Sequence, residues 1–399
     1  MSCFRTVQPR VLQYAVFLTV FTALVGALHA YLWHRLVRSP ELGATFTRIG
    51  TRAVIGLGLL LPLGMMVTRV LPRGLASAFA WASYLWFGVA VVLFFLLVGS
   101  EVVRGAVHAA SLFHGGVSPE RRQFLSRAIA AGVGALGVLV SGVGFAAAVG
   151  PVSIEKVAVR LRRFPKALDG FRIVQVSDLH IGPTLGKSWL EDVVARVNAQ
   201  DPDIVAITGD LVDGSVAELS EHVAPLANLR AKHGVYFVTG NHEYYSGADA
   251  WIAHLRTLGI RVLRNERVEL GAGEAVFDLA GVDDFASGRW PGHGPDLEGA
   301  LLGRDPAREV VLLAHQPKQA IEAEKHGIGL QLSGHTHGGQ IFPWGYAVKL
   351  DQPHLKGLER RGETQIYTNR GTGYWGPPMR VGVPSEISVI ELFADSASA

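Results

Sequence analysis

The sequence predicts an N-terminal all-α region of four membrane-spanning helices, followed by an α+β domain in which two packed sheets are flanked by helices. Three observations lead to this prediction. Sequence before about residue 150 is apolar and poor in Asp and Glu, whereas ordinary globular sequence follows it. The apolar part holds stretches long enough to cross a bilayer, which takes about 20 apolar residues. The later part alternates Val/Ile/Leu-rich runs with helical segments. We therefore assign residues 1–150 to a multi-pass transmembrane region and residues 151–399 to a folded domain.

The four predicted spans cover about 11–33, 53–70, 75–98 and 128–149. The first three are rich in Leu, Phe and Val, which argues against core helices of a soluble protein. The fourth is mostly Gly and Ala. It follows Arg121 and Arg122, which begin an Arg-Arg-x-Phe-Leu motif that resembles a twin-arginine export signal, and Ala146-Ala147-Ala148 offers a cleavage site. The alternative is that these arginines only anchor a helix on the same, cytoplasmic side.

Basic residues between the spans indicate the orientation. The arginines of the first and third loops are Arg35, Arg38, Arg48, Arg52, Arg104, Arg121, Arg122 and Arg127, against Arg5, Arg10, Arg69 and Arg73 on the opposite side. The basic residues after the fourth span, which favour the reverse orientation, are Lys156, Arg160, Arg162, Arg163 and Lys166. Sequence that leads a large exported domain counts for little in the positive-inside rule. We therefore predict a bacterial-type multi-pass membrane protein whose folded domain lies outside the cytoplasm.

The elements of the folded domain are predicted from hydrophobic runs and their boundaries. Predicted strands cover 171–176, 204–208, 235–238, 310–313, 328–332 and 387–392, and hairpin-like segments cover 262–264, 267–270 and 275–280. Predicted helices lie near 189–198, 223–232 and 248–258. Continuous apolar runs bounded by Gly, Asp and Asn are typical of strands buried on both faces.

The stretch Gly334-His335-Thr336-His337-Gly338-Gly339-Gln340 directly follows one of these strands. Its two imidazoles, one residue apart and flanked by glycines, can reach two metal ions from one tight turn. The alternative interpretation is a His-rich surface loop. Four further segments after strands supply other ligand types: Ser177-Asp178-Leu179-His180, Gly209-Asp210-Leu211-Val212-Asp213, Gly240-Asn241-His242-Glu243 and Ala314-His315-Gln316-Pro317. Because open sheets place ligands at strand ends, we expect these side chains to converge.

The residue types indicate a site for two divalent metal ions. Such ions lie about 3.5–4 Å apart and need a bridging carboxylate, with a bridging water or hydroxide as nucleophile. Asp210 is the natural bridge. Mixed nitrogen and oxygen donors without thiolate suit Mn, Fe or Zn better than Mg or Ca alone. The single cysteine, Cys3, lies far from these motifs in sequence and cannot complete a cysteine-type zinc site.

The five motifs are Asp-x-His, Gly-Asp-x-x-Asp, Gly-Asn-His-Glu, a lone His after a strand, and Gly-His-x-His, and in this order they resemble the calcineurin-like metallophosphoesterases over residues 167–393. The resemblance implies a four-layer α/β/β/α sandwich and phosphate-ester hydrolysis. It implies one metal held by Asp178, His180, Asp210 and His337. It implies a second metal held by Asp210, Asn241, His315 and His335. His242 would be the general acid or a phosphate-orienting group.

Asp213 and Glu243 resemble second-shell partners of the family, which fix imidazole tautomers and backbone turns. Alternatives stay open for each of these neighbours. Asp213 is also suited to cap a helix before Gly214-Ser215-Val216. The alternative interpretation of Glu243 is a solvated side chain, and that of His242 is an ordinary loop histidine. For the ligands as a whole, the alternative is a family member that has lost activity.

Downstream motifs resemble the membrane-associated YkuE/YaeI-type phosphodiesterase branch of the family. They are Ala280-Gly281-Val282-Asp283-Asp284, Tyr367-Thr368-Asn369-Arg370-Gly371-Thr372-Gly373, Pro378-Met379-Arg380 and Pro384-Ser385-Glu386-Ile387. Arg370 and Arg380 are candidates for bidentate contacts to a phosphate, with ordinary surface arginines or Asp partners as the alternative. Asp283 and Asp284 are candidates for turn formation as much as for substrate contact.

Charge and context narrow the substrate class. The formal net charge is +3, but the excess lies largely in membrane-flanking arginines, where it attracts anionic lipid. No aromatic-interleaved basic patch favours nucleic acid. We expect hydrolysis of a phosphodiester or pyrophosphate in a lipid or lipid-linked nucleotide such as UDP-diacylglucosamine. The alternative is a transporter, sensor or binding protein with an appended, inactive domain, although charged residues that would favour transport are missing from the centres of the predicted spans. The oligomeric state stays open.

Overall fold

A computed structural model describes residues 7–67, 71, 73–113, 116 and 118–395. Cys3, Arg5 and residues 68–70, which enter the predictions above, lie outside the described residues. The chain divides into two compact units. One comprises Met1–Phe145 with Gly376–Pro378, and the other comprises Ala146–Trp375 with Met379–Ala399.

The described N-terminal part contains four long helices. They are α1 (Val7–Trp33), α2 (Ala44–Val67), α3 (Arg73–Phe113) and α4 (Pro119–Val149), with a π-helical turn at His34–Arg38 after α1. All four are long and apolar enough to cross a membrane, as predicted. Their bounds differ from the predicted spans, since α2 begins before residue 53 and α3 continues past residue 98. Helical hydrogen bonding does not stop where the apolar run ends, because intrahelical bonds satisfy the backbone in water as well as in lipid.

Polar contacts connect three of these helices at one end of the first unit. Glu101 on α3 accepts hydrogen bonds from the Tyr31 hydroxyl at 2.9 Å and from Arg35 at 2.7 Å. Arg127 on α4 donates to the carbonyl oxygens of Pro40 and Glu41, both at 2.9 Å. The segment after α1 and the polar ends of α3 and α4 therefore lie together.

The second unit contains two six-stranded sheets. The strands of the first sheet, in spatial order, are β1 (Ser153–Leu161), β12 (Glu386–Ala394), β2 (Phe171–Val176), β3 (Ile204–Ile207), β4 (Val235–Phe237) and β5 (Arg261–Val262). Those of the second are β10 (Gly357–Arg361), β11 (Thr364–Thr368), β9 (Leu330–Ser333), β8 (Val310–Leu313), β7 (Ala275–Gly281) and β6 (Glu266–Ala272). The helices are α5 (Lys187–Asn198), α6 (Val216–Val223), α7 (Asn241–Ser246), α8 (Ala248–Thr257), α9 (Leu297–Ala300), α10 (Ala320–Lys325) and α11 (Gly345–Val348).

Three apolar layers hold the sheets and helices together. Between the sheets, side chains such as Ile173 and Ala206 share one buried cluster with Leu279 and Leu332. A second cluster joins the other face of the first sheet to helices α5 and α8, and a third joins the second sheet to α9 and α10. This order of helices, sheet, sheet and helices confirms the four-layer α/β/β/α sandwich, because each sheet buries both faces.

Several elements of this unit differ from the predictions, and strands β10 and β11 are among those that were not predicted. Strand β1 was not predicted, because charged residues such as Lys156 and Arg160 interrupt its apolar positions; it is an edge strand parallel to β12, which tolerates an exposed face. The helix predicted at 223–232 instead ends at Val223. Ser215 and Glu218 form a capping box at its start, and Pro225 begins a 3-10 turn after it.

Parallel pairing brings the candidate site residues to one edge. Strands β2, β3 and β4 are mutually parallel in the first sheet, and β8 and β9 are parallel in the second. The carboxyl ends of parallel neighbours lie on the same side of a sheet. The loops after these five strands are those that carry the predicted ligands.

Candidate metal centre

The backbone of the candidate ligands is held in the left-handed region. Positive φ values occur at Asp178, His180, Asp210, His335 and His337, all between 46° and 69°. This region is rarely used by residues other than glycine, and such conformations persist where the surrounding structure over-determines them, often at functional sites. The loops after β2, β3 and β9 are therefore shaped to direct these side chains rather than to minimise local strain.

Two glycines allow the loops to approach each other. A Cβ atom at Gly334 would overlap the side chains of Ser177 and Asp178, and a Cβ atom at Gly240 would overlap Asp210. Neither position has room for a side chain without moving a candidate ligand. The glycines of the Gly-His-x-His and Gly-Asn-His-Glu motifs thus serve close packing of the ligand loops.

The first group of ligand atoms comes from Asp178, His180 and His337. The Nε2 atoms of His180 and His337 lie 3.1 Å apart, and His337 Nε2 lies 3.4 Å from Asp178 Oδ1. Atoms that bind a common cation at about 2.0–2.2 Å lie roughly 3 Å from one another. The three side chains therefore have the spacing expected of ligands to one ion.

The second group comes from Asp210, His315 and His335. His315 Nε2 lies 3.1 Å from Asp210 Oδ2 and 3.2 Å from His335 Nδ1. His315 donates from Nδ1 to the carbonyl oxygen of Thr208 at 2.7 Å, which turns its Nε2 toward the group. A backbone partner on the second ring nitrogen is the usual way in which a protein orients a metal-binding histidine.

The carboxylate of Asp210 joins the two groups. Its Oδ2 atom lies 3.1 Å from His315 in the second group and 4.0 Å from His180 in the first. The Oδ1 atom of Asn241 is buried and accepts no hydrogen bond from the described residues. A buried amide oxygen without a donor is costly unless a cation binds it. The donor set of carboxylate, imidazole and amide therefore fits two divalent ions, as the sequence predicts.

Asp213 lies behind the first group and contacts two imidazoles. Both of its carboxylate oxygens lie 3.2 Å from His180 Nδ1, and Oδ1 lies 2.5 Å from His242 Nδ1. His180, Asp213 and His242 also have ligand atoms close enough for a metal. Since His180 points its other nitrogen at Asp210, the carboxylate of Asp213 has the geometry of an orienting partner. The helix that follows is capped by Ser215.

Glu243 is fully buried beneath the second group. Its carboxylate accepts hydrogen bonds from the backbone N–H groups of Gly240 at 2.6 Å, Asp210 at 3.0 Å and Leu211 at 2.8 Å. These bonds tie the loop after β4 to the loop after β3. The fold therefore buries the Glu243 side chain instead of exposing it to solvent.

Of the two arginines of the downstream motifs, Arg380 is buried and Arg370 is half-buried, and both are engaged by protein groups. Arg380 is buried and donates to the carbonyl oxygens of Arg370, Gly371 and Gly373. Arg370 pairs with Glu386 and, at 3.0 Å, with Glu155. These contacts hold the loop after β11 against the first ligand group.

The two aspartates of the downstream motifs are also buried in protein contacts. Asp283 pairs with Arg264, and Asp284 accepts from the side-chain amide of Gln316 at 2.9 Å and 3.1 Å. Asp284 additionally accepts from the backbone N–H of Ala286 at 2.8 Å, as a turn former does. Gln316 follows His315 directly, so Asp284 supports the second ligand group through its neighbour.

Burial and charge set the protonation of the site. Burial, then the charge of His315, lowers the pKa of His335 to about 3, and burial with His180 holds the pKa of His337 well below its usual value. Both rings are therefore neutral, as metal binding requires. Burial opposes protonation of His242, but Asp210 and Asp213 outweigh it and raise its pKa to about 9. An imidazolium at this position can donate a proton at neutral pH.

Two aromatic residues beside His242 were not predicted. The rings of Tyr245 and Trp375 lie edge-on to the imidazole, with centroids at 5.4 Å and 5.7 Å. Tyr245 lies one helical turn after His242 in the sequence. This spacing was the signal that could have predicted the contact between the two rings. Trp375 comes from a distant loop that hydrogen bonds to Gln340. The sequence around Trp375 gave no signal that would predict its contact with His242.

Gly334→Ala is expected to lower the free energy of unfolding by about 1–3 kcal/mol, the usual cost of forcing an extra methyl group into a packed interior. It should also reduce metal content, because the new methyl group can fit only if Asp178 moves. Thermal unfolding and elemental analysis would measure both effects. Gly288→Ala is the matched control, since a Cβ atom there meets nothing within 4 Å. Equal stability and metal content in the two variants would contradict the close-packing argument.

Two neighbouring Asp/His groups at the strand ends of a four-layer sandwich define a class of protein with a site suited to two metal ions. A model for the calcineurin-like phosphoesterases matches residues 171–339. The chain is also 34% identical over 286 residues to the uncharacterized metallophosphoesterase YkuE of Bacillus subtilis (strain 168), a match that covers 68% of this chain and 97% of YkuE. The chain therefore belongs to the calcineurin-like metallophosphoesterase family, as the motifs predict.

Other relatives combine this domain with a membrane region. The chain is 43% identical over 269 residues to the transmembrane protein with metallophosphoesterase domain of Bos taurus, a match that covers 64% of this chain and 60% of the relative. The chain thus spans less than two thirds of that relative's length. Among solved structures, the putative 5'-nucleotidase from Staphylococcus aureus in complex with alpha-ketoglutarate has a TM-score of 0.35 at 18% identity, covering 57% of this chain and 55% of that chain.

Proposed function

We propose that this membrane protein hydrolyses phosphate esters with two divalent cations held by the residues that the motifs predict. One cation would be bound by Asp178, His180, Asp210 and His337. The other would be bound by Asp210, Asn241, His315 and His335. The observation that carries this assignment is the position of Asp210 Oδ2, which lies 3.1 Å from His315 and 4.0 Å from His180 and so faces both groups.

The bound cations would supply activation of a water molecule for attack on phosphorus and neutralisation of the charge on the phosphate. His242 would act on the leaving group. Because Asp213 holds its Nδ1 at 2.5 Å, the proton available for transfer sits on Nε2. Asp213 also orients His180, so one carboxylate couples the proton donor to a metal ligand. Tyr245 and Trp375 flank the imidazole and would limit water around the departing oxygen.

Metal removal is expected to abolish hydrolysis of bis-p-nitrophenyl phosphate, and added Mn²⁺ should restore it. Chelation should also lower the melting temperature, because a ligand present at a hundred times its dissociation constant stabilises the folded state by about 2.7 kcal/mol. Mg²⁺ and Ca²⁺ should restore less activity than Mn²⁺, since imidazole donors suit them poorly. Full activity in protein shown by elemental analysis to be metal-free would contradict the proposal.

The substrate we favour is a phosphodiester or pyrophosphate in a lipid or a lipid-linked nucleotide such as UDP-diacylglucosamine. This proposal is supported by the direct connection of the sandwich to an apolar helix, since a membrane-tethered esterase meets lipids at high local concentration. Hydrolysis of UDP-diacylglucosamine in mixed micelles would be compared with hydrolysis of UDP-N-acetylglucosamine, which lacks the acyl chains. Equal catalytic efficiency for the two would overturn the lipid assignment while leaving the phosphoesterase assignment intact.

The orientation we propose places the catalytic unit outside the cytoplasm. Support comes from the shared location of the loop arginines, because Arg35 pairs with Glu101 on α3 and Arg127 on α4 contacts the segment after α1. Clustered basic residues favour the cytoplasmic side. Alkaline phosphatase fused after residue 399 should be active in intact cells. A fluorescent reporter that folds only in the cytoplasm should stay dark at the same position, and bright cytoplasmic fluorescence would reverse the orientation.

A further inference from the structure

A short surface segment beside the metal centre carries several large exposed apolar side chains. Phe342 is 63% exposed, Trp344 55%, Tyr346 69% and Leu350 90%. The segment 342–350 begins soon after His337, so it continues the loop that supplies two candidate ligands. Single exposed apolar residues are ordinary, but a contiguous group of this kind marks a surface that contacts another phase or molecule.

Basic side chains accompany these apolar groups. A surface cavity of about 220 Å³ is lined by Phe342 and Tyr346 together with Lys349 and Lys356. Both lysines are exposed, and neither forms an ion pair with any residue in the described part of the chain. Aromatic rings next to unpaired lysines are the composition of segments that lie at a membrane–water interface.

The cavity adjoins the point where the chain enters the sandwich. Val383, Lys356 and Arg370 meet around Gly338, and Arg370 pairs with Glu155 at 3.0 Å. Glu155 lies at the start of β1, whose Ser153 donates from its backbone N–H to Ser385 at 3.3 Å. The chain passes from α4 to β1 through residues 150–152, which span at most about 10 Å. The apolar segment therefore lies on the same part of the sandwich as the start of β1, the first strand after α4.

From these observations we infer that segment 342–350 rests on the surface of an anionic phospholipid bilayer. The rings of Phe342, Trp344 and Tyr346 enter the headgroup region, and Lys349 and Lys356 contact lipid phosphates. A two-fold contact between copies is disfavoured, because it would bring the unpaired lysines of one copy toward those of the other. The contact holds the turn that carries His335 and His337 at the membrane surface. It therefore decides which substrates can reach the candidate metal centre. Contact of segment 342–350 with the bilayer does not depend on turnover.

The test uses the full-length chain in nanodiscs of phosphatidylcholine and phosphatidylglycerol, with one copy per disc. The only cysteine, Cys3, is replaced by serine. Each variant then receives one new cysteine, which is labelled with an environment-sensitive fluorophore; the three variants are Tyr346→Cys, Leu350→Cys and Leu302→Cys. Leu302 is 83% exposed and lies elsewhere on the sandwich, so it is the matched control. We expect blue-shifted emission and quenching by spin-labelled lipid at positions 346 and 350, but not at 302.

Further variants distinguish the possible outcomes. Lys349→Glu combined with Lys356→Glu should reduce the quenching in anionic discs, and Asp210→Asn should leave it unchanged. Emission at 346 and 350 as water-like as that at 302 would overturn the inference. So would equal quenching at all three positions, which would show only general proximity to lipid. Shielding that appears only when a disc holds two copies would assign the surface to a contact between chains and would equally overturn it.

Discussion

Asp210→Asn is expected to lower phosphoesterase turnover by about a thousandfold or more. An oxygen of the Asp210 carboxylate faces both ligand groups, at 3.1 Å from His315 and 4.0 Å from His180. An amide in its place has no charged oxygen to offer to the two groups. Charge stabilisation by bound metal ions is worth several kcal/mol in the transition state, and each 1.4 kcal/mol is about tenfold in rate.

Metal content and fold would be measured beside the rate for Asp210→Asn. The variant should hold fewer than two ions per chain while its circular dichroism stays that of the parent. Asp192→Asn is the matched control, since this aspartate lies on α5 and only pairs with Arg196 at the surface. If Asp210→Asn kept two ions and full turnover, the bridging assignment would be wrong.

His242→Ala is expected to lower turnover by about a hundredfold to ten-thousandfold, the usual contribution of general acid–base catalysis. His242 donates from its backbone N–H to Asp210 at 2.8 Å, a contact that alanine keeps, so both ions should remain bound. The expected change is thus a loss of rate without a loss of metal. This pattern separates His242 from the ligands, whose replacement should reduce both.

A comparison of two leaving groups tests whether His242 acts as an acid. With p-nitrophenolate, which departs without protonation, the loss in His242→Ala should be small. With an alkyl leaving group of high pKa the loss should reach its full size. A loss of the same size for both leaving groups would instead assign His242 to phosphate orientation. His326→Ala, on a peripheral helix end, is the matched control and should keep parental rates.

Asp213 illustrates how a local pattern and a three-dimensional contact can differ. Its position before Gly214-Ser215-Val216 suits a helix cap, and the residues alone left that alternative open. In the folded chain Ser215 takes the cap, and Asp213 lies 3.2 Å from His180 and 2.5 Å from His242. Which neighbour a carboxylate contacts across the site depends on the pairing of β2 and β3, not on its own flanking residues.

Strand β1 shows the same limit for secondary structure. Its alternation of charged and apolar residues gave no continuous hydrophobic run, and only the partner β12, more than two hundred positions away, makes it a strand. The aromatic residue Trp375 beside His242 is equally dependent on a distant loop.

The sequence by itself determined the four apolar helices, the order of the buried strands and the types of the candidate ligands, because hydrophobic periodicity and donor chemistry are local properties of the chain. Only the tertiary structure set the spacing of the candidate ligands within each group, the distances from Asp210 to both groups, and the contacts of Arg370 with Glu386 and of Arg380 with backbone carbonyls. The physical reason is that these features are distances between segments far apart in sequence. They are set by sheet pairing and by the glycines that let the ligand loops approach.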